Sequence, residues 1–296
     1  MIALLDTEPG ARARGVLYMV VAVAFLAAMD TCAKYLSSDY HVMQILWVRY
    51  IGHFVIALVI FAPRMGVGML TSRRPGLQWV RSGLMLVASG LNFIALGYLQ
   101  LDQVGALAMT APIWVVVLAV PLLGERITGH RLIAIIAGFT GIVLITRPGF
   151  GEVHWAIFLS LGTAVALALF QITTRMLANI DNHIVTQVYT TLAGVVILTP
   201  MVPFYWQTPH GWDWLIMLCI GGFGILGHYC LIFAHRYAPA SVLAPFFYVQ
   251  IVWMTGLGFL IFSDVPDVFT LLGAVVVVLS GLYIWKMERR TAKATP

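Results

Sequence analysis

"ALGYLQLDQVGALAMTAPIWVVVLAVPLLGE", residues 95–125, has a distant copy in "AHRYAPASVLAPFFYVQIVWMTGLGFLIFSD", residues 234–264. A shift of 139 positions lays Ala95 on Ala234, Tyr98 on Tyr237, Trp114 on Trp253 and Glu125 on Asp264. A one-residue slip then brings Gly141 onto Gly281. A shift of 141 lays "AAMDTCAKYL" (27–36) on "ALFQITTRML" (168–177), so that Lys34 meets Arg175. The chain repeats itself once, weakly, from end to end.

Both copies are made for oil. Of 296 residues, 61% are hydrophobic and only 10% charged, and the mean hydropathy is +0.94. Soluble domains carry about a quarter charged residues, so this composition points to a membrane protein. A bilayer core about 30 Å thick takes roughly 20 apolar residues per helix. Ten such windows recur: 15–36, 43–62, 79–99, 103–123, 131–147, 155–177, 184–203, 213–235, 241–262 and 268–286. The first follows "GARARG" directly and is long enough to span, which reads as a membrane helix and not a cleaved leader. Cys32, Cys219 and Cys230 fall in apolar segments, and an odd count of this kind builds no disulfide framework.

With the N-terminus placed in the cytoplasm, fourteen of the 17 Lys and Arg residues fall on the inner side. Lys34 and Arg147 fall outside, and Arg49 lies within the second span. That asymmetry is what the positive-inside rule demands, and it puts both termini in the cytoplasm. Five helices per copy is an odd number, so the second copy, 151–296, enters the membrane upside down relative to the first, 1–150. The expected fold class is an all-α integral membrane protein of ten transmembrane helices in two inverted five-helix repeats. Secondary transporters use this architecture to open a midplane site to alternate sides.

Residues 95–125 carry a resemblance as well as a repeat. Ala95, Tyr98, Pro112 and the terminal Gly124-Glu125 are similar in kind and spacing to the EamA-type segment of the drug/metabolite transporter superfamily. The second copy keeps Ala234, Tyr237 and Ala240, but has Ile251 where the family usually has proline, and Ser263-Asp264 in place of Gly-Glu. The similarity covers essentially the whole chain and most resembles bacterial exporters of aromatic and other amino acids. The resemblance implies a basket of ten helices around a central cavity lined by helices 1, 3, 4, 6, 8 and 9, with helices 2 and 7 closing the sides and helices 5 and 10 as scaffold. It also implies a bacterial inner membrane, and nothing in it calls for more than a monomer.

Polar residues inside the spans are the candidate site, because a charge at mid-membrane costs about 2.5 to 3.5 kcal/mol on insertion scales and is kept facing protein or water. Asp30 is the acid that lies clearly inside a span; it either grips a substrate ammonium, carries a coupling proton, or pairs with Lys34 one turn on. Gln171 occupies its position in the other half, so the halves do not offer identical chemistry. Asn92 lies one turn beyond Ser89, which overlays His228; polar groups at matched positions on helices 3 and 8 suit a cavity between the halves. Gln250 and Trp253 share a stripe on helix 9 with Tyr248 beside it, and Trp114 mirrors Trp253. Together these aromatics either box an apolar substrate group or pack as core.

Pro112 and Pro245 interrupt backbone bonding within spans 4 and 9, which makes them hinge candidates. Arg49 and His53 read as structural residues of helix 2, and Glu125 and Asp264 as anchors at helix ends. The expected function is export of amino acids by alternating access, with the lipid bilayer and the small-molecule substrate as partners, no cofactor and no nucleic acid. Proton-coupled efflux of drugs or nucleosides is the alternative, with Asp30 exchanging a proton for the solute. HExxH, GxSxG and Walker A motifs are missing, which speaks against an enzyme, a metal centre or direct use of ATP.

Overall fold

A computed structural model describes residues 9–123, 129–146, 154–177, 180–237, 243 and 246–294. The regular elements among them are helices: α1 Pro9–Leu36, α2 Val42–Met65, α3 Pro75–Leu96, α4 Leu101–Ala108, α5 Ala111–Leu123, α6 Gly129–Thr146, α7 Ala156–Leu177, α8 His183–Leu198, α9 Asp213–Tyr237, α10 Val249–Phe262 and α11 Val268–Ala294. Ala13–Leu36, Val42–Pro63, Pro75–Leu96, Ala156–Thr174 and Asp213–Leu231 are long and apolar enough to cross a membrane. Four shorter apolar helices accompany them: Ile135–Ile145, Ile184–Leu198, Val249–Phe262 and Val268–Tyr283. Large apolar side chains such as Leu17, Val59, Phe158, Leu218 and Leu260 point outward all around the bundle, a surface that suits lipid and not water.

The fourth span is two helices in line. Pro112 is the second residue of α5, and its ring excludes a continuous hydrogen bond to the carbonyl one turn earlier, so the helix stops at Ala108 and restarts at Ala111. Thr110 closes the gap, its Oγ1 donating to the Leu107 carbonyl at 2.7 Å. The repeat lays Tyr248 on Met109, and Tyr248 is likewise the turn residue between helical Phe246-Phe247 and α10. The interruption thus recurs at one register in both copies. Pro245, expected to hinge the second of them, lies outside the described residues.

Cross-links between loops fix the direction of each helix. Where α1 ends, the Tyr40 hydroxyl donates to Asp213 at the start of α9 at 2.6 Å, and Gln44 pairs with the backbone of Gln207 at 2.7 and 2.8 Å. Where α7 ends, Asp181 accepts from Ser72, from the Arg73 N–H at 2.8 Å and from Gln78 at 2.9 Å. The first pair of loops caps one end of the bundle and the second pair caps the other, so α1 and α7 run in opposite directions. Packing follows the same pseudo-symmetry: α1 lies along α9 as α7 lies along α3, α1 meets α10 as α7 meets α5, and α6 lies along α11.

Glycines set the tightest approaches. A Cβ on Gly52 of α2 would sit 3.1 Å from the Gly221 Cα of α9, and one on Gly273 of α11 would sit 2.7 Å from the Gly141 carbonyl oxygen of α6. Helix pairs in membranes associate through such small-residue contacts, where lipid offers no hydrophobic drive. The chain is an all-α integral membrane protein of ten spans in two inverted five-helix repeats.

Candidate substrate site

Buried polarity collects where α1, α2 and α3 of the first half face α8 and α9 of the second. Asp30 on α1 is 7% exposed, and its Oδ1 accepts from Asn92 Nδ2 of α3 at 3.1 Å. Asp30 does not pair with Lys34. Lys34 Nζ turns away to Asp264 Oδ2 at 2.6 Å, so Asp264 is the anchor that its helix-end position suggests.

Arg49 on α2 is 6% exposed, its guanidinium 5.4 Å from the ring centre of Tyr50 and 5.3 Å from that of Phe93. It is close enough to Asp30 to act on its charge, yet no N···O distance of 4.0 Å or less joins the two. An acid and a guanidinium are thus held in one buried seam without an ion pair between them. Aromatic faces give Arg49 part of the stabilisation that water would give outside.

One turn along α2, His53 is buried with its Nε2 3.2 Å from Gln187 Nε2 of α8. Its ring centre lies 5.4 Å from that of His228 on α9. Tyr50 donates to Ser89 at 3.1 Å, and Ser89 passes the bond on to the Met85 carbonyl at 2.8 Å. The seam therefore presents a carboxylate, a guanidinium, two amides and two imidazoles within neighbouring turns, drawn from both halves.

Three of the sequence candidates, Asp30, Asn92 and His228, come together here. Four do not. The Trp114 ring meets Phe139 of α6 edge-on at 5.4 Å, and Trp253 is 42% exposed on α10. Tyr248 directs its hydroxyl at Gly281 of α11, and Gln250 is buried on α10 two residues further on. Pro112 stands at the interruption of span 4.

Arg49 and His53 enter the site from a helix read as closing its side, and Gln187 had no part in the sequence reading. Arg81, counted with the inner loops, is buried instead and bonded to Thr174 at 2.6 Å, the Thr186 carbonyl at 3.0 Å and Thr190 at 2.8 Å. Its place inside the third apolar window was the signal for that. A separate hollow of about 510 Å³ opens at the Tyr40–Asp213 end, lined by Asp39, Tyr40, Gln207, Thr208, His210 and Asp213.

Residues 13–147 and 154–285 each match the EamA-like transporter family. The chain belongs to that family. Among EamA-like relatives, the S-adenosylmethionine uptake transporter of Rickettsia felis is 24% identical over 276 residues, covering 93% of this chain and 94% of the relative. The riboflavin transporter of Brucella anthropi is 25% identical over 288 residues, covering 93% and 99%. An uncharacterized transporter of Helicobacter pylori is 31% identical over 200 residues, 65% of this chain and 67% of its own. One solved crystal structure superposes with a TM-score of 0.64 over 96% of this chain and 99% of that one; at 16% identity it speaks for the fold alone. This EamA-like chain is accordingly a membrane transporter of the drug/metabolite superfamily. The relatives' names give no specific support to amino-acid export.

Proposed function

We propose that this chain is a secondary transporter of the bacterial inner membrane that carries small organic solutes bearing an α-amino-acid head, aromatic and other neutral amino acids included. The observation that carries this reading is the pair of opposite charges, Asp30 and Arg49, buried in one seam without an ion pair between them. A zwitterion satisfies both: its ammonium binds Asp30 beside Asn92, and its carboxylate lies against the Arg49 guanidinium. His53, His228 and Gln187 supply further hydrogen bonds. Each buried charge left alone is costly, so the loaded site is more stable than the empty one, and binding energy favours occlusion.

In this reading residues 1–150 and 151–296 are the two units that exchange roles, with both termini cytoplasmic. The half-helices α5 and α10 pivot beside Pro112 and Pro245. Trp114, Tyr248, Gln250 and Trp253 stand apart from the Asp30–Arg49 seam in this structure, and in this reading the pivot brings them against the apolar end of the solute. S-adenosylmethionine, the substrate named for the Rickettsia relatives, contains an amino-acid head; riboflavin does not. Direction in the cell follows the gradients, so export and uptake are two uses of one cycle.

Counterflow into liposomes preloaded with unlabelled solute tests this directly. Labelled amino acids or S-adenosylmethionine accumulate without ATP, and riboflavin does not; exchange of riboflavin with none of the amino-acid-headed solutes overturns the assignment. Three titratable groups in succession, Asp30, His53 and His228, favour a second reading in which a proton travels against the solute. An imposed pH gradient separates the two, since a facilitator's initial rate is the same with and without it.

A further inference from the structure

Lys34 is the hub of a contact that no solute-binding role requires. Its ammonium bonds Asp264 Oδ2 at 2.6 Å and the Leu99 carbonyl at 3.2 Å, and sits 4.8 Å from the Phe262 ring centre. Helix α1 and the α3–α4 link belong to the first half, whereas Asp264 begins the α10–α11 link of the second. Ser263 turns the chain there in the left-handed region, φ 58°, and the Asp264 N–H bonds back to the Gly258 carbonyl at 3.2 Å, which aims the carboxylate at α1. The two side chains are 15% and 19% exposed, so water screens the pair only in part.

Two further features argue that this contact is made to be broken. Asp102, second residue of α4, has both carboxylate oxygens buried without a side-chain donor, and it interacts electrostatically with Lys34 and Asp264 alike. It is a spare acceptor on the first half, so that a parting of the halves does not strand a bare ammonium. The repeat also places a basic residue, Arg175, two positions before the end of α7, as Lys34 stands two positions before the end of α1. Such a device belongs to the transport cycle and is not a random surface pair.

We propose that the Lys34–Asp264 ion pair is the latch that closes this end of the bundle over the Asp30–Arg49 site, and that Lys34 passes to Asp102 when the end opens. The proposal rests on the transport reading above. Two discrete partners for one cation make the closure bistable, which is what alternating exposure needs.

The native Cys32, on α1 two residues before Lys34, serves as reporter in the full-length protein carrying Cys219→Ala and Cys230→Ala. Its reaction rate with a polar maleimide is measured in detergent, together with the melting temperature. Lys34→Ala and Asp264→Asn raise the rate about three- to five-fold, the shift a partly exposed ion pair can impose on a two-state equilibrium. The exchanged pair Lys34→Asp with Asp264→Lys returns it toward the starting value. Asp102→Asn, which removes the alternative partner, slows labelling.

A merely structural pair moves none of these in that pattern: unchanged labelling in Lys34→Ala and Asp264→Asn at unchanged melting temperature overturns the latch, as does failure of the exchanged pair to restore it. Labelling requires no solute. Altered labelling in a protein that moves nothing therefore upholds the latch and defeats the transport reading, while counterflow with invariant labelling does the reverse.

Discussion

Asp30, Arg49, His53 and Asn92 come from the first half of the molecule, whereas the positions that the repeat lays on them, Gln171, Thr190, Gly194 and Leu231, carry no charge. The helix packing is shared: α1 against α9 and α7 against α3 are the same contact made twice, in opposite directions. Backbone symmetry is enough to let a bundle rock between two equivalent closures, because the packing on either side is interchangeable. Chemistry is under no such obligation. One wall holds the charged groups, and the other contributes His228 and Gln187.

Asp30→Asn is the sharpest test of that one-sidedness. Losing a charge-assisted hydrogen bond to a substrate ammonium removes about 1.5 to 3 kcal/mol, which is roughly a 10- to 150-fold fall in counterflow at limiting solute. The matching change in the other half, Gln171→Asn, leaves the rate within about twofold by the same reasoning, since it removes no charge. Recovery of transport in the combined Asp30→Asn and Gln171→Asp protein would show that either wall can hold the acid.

Arg49→Met comes next in size. The methionine follows the guanidinium stem against Tyr50 and Phe93 while deleting the charge, so counterflow falls by about tenfold. Stability behaves differently. A buried cation without an acid in contact costs desolvation that aromatic faces only partly offset, and the melting temperature of Arg49→Met does not drop. A large loss of melting temperature would mark Arg49 as a structural strut.

Much of the fold was legible in the sequence because hydropathy, charge asymmetry and repeat register each act over whole helices. Ten windows, the inversion and a proline within each of spans 4 and 9 required only counting. Placing a polar residue in the site is harder, because it depends on the azimuth of its helix. Asp30, Asn92 and His228 stand out since a lone polar group in an apolar span must turn inward. The stripe Gln250–Trp253 reads alike whether it faces a cavity, a neighbouring helix or lipid, and aromatic side chains tolerate all three. Arg49 reads as structural because its span begins outside, near enough to the outer interface for it to snorkel or pair, and His53 as a satisfied interior histidine, although their polarity within the span is the same signal that singles out Asp30.

Gly194→Leu probes where the second half gives way to the first. Gly194 of α8 faces the Tyr50 ring so closely that an added Cβ would overlap Tyr50 Cγ and Cδ1. A leucine there has to displace Tyr50 and break its bond to Ser89, an overpacking cost of about 1 to 3 kcal/mol visible in thermal unfolding. At the register mate, His53→Ala deletes atoms instead of adding them and falls mainly on transport. If Gly194→Leu melts like the parent protein, the halves are looser at this seam than their packing states.

The smallest effect belongs to the end of the bundle capped by Asp181. Burial pushes its carboxyl up, but hydrogen bonds from Ser72, the Arg73 N–H and Gln78, with the Arg73 charge beside it, outweigh that and hold it below the usual carboxylate range. A group whose folded pKa is depressed adds stability that is present above its unfolded value of about 3.9 and is lost as pH falls through the folded value. Because Asp181 is only partly buried, the contribution is small. Asp181→Asn therefore melts slightly lower than the parent at neutral pH, and the gap narrows as the pH is taken below about 4. At the other end the corresponding loop contact is Tyr40 to Asp213, where the donated hydrogen bond chiefly, together with burial, raises the phenol's pKa, and Tyr40→Phe, which removes the donor, lowers the melting temperature at neutral pH. A gap for Asp181→Asn that stays constant from neutral to acid pH would show that this end is tied by shape alone, with charge playing no part in it.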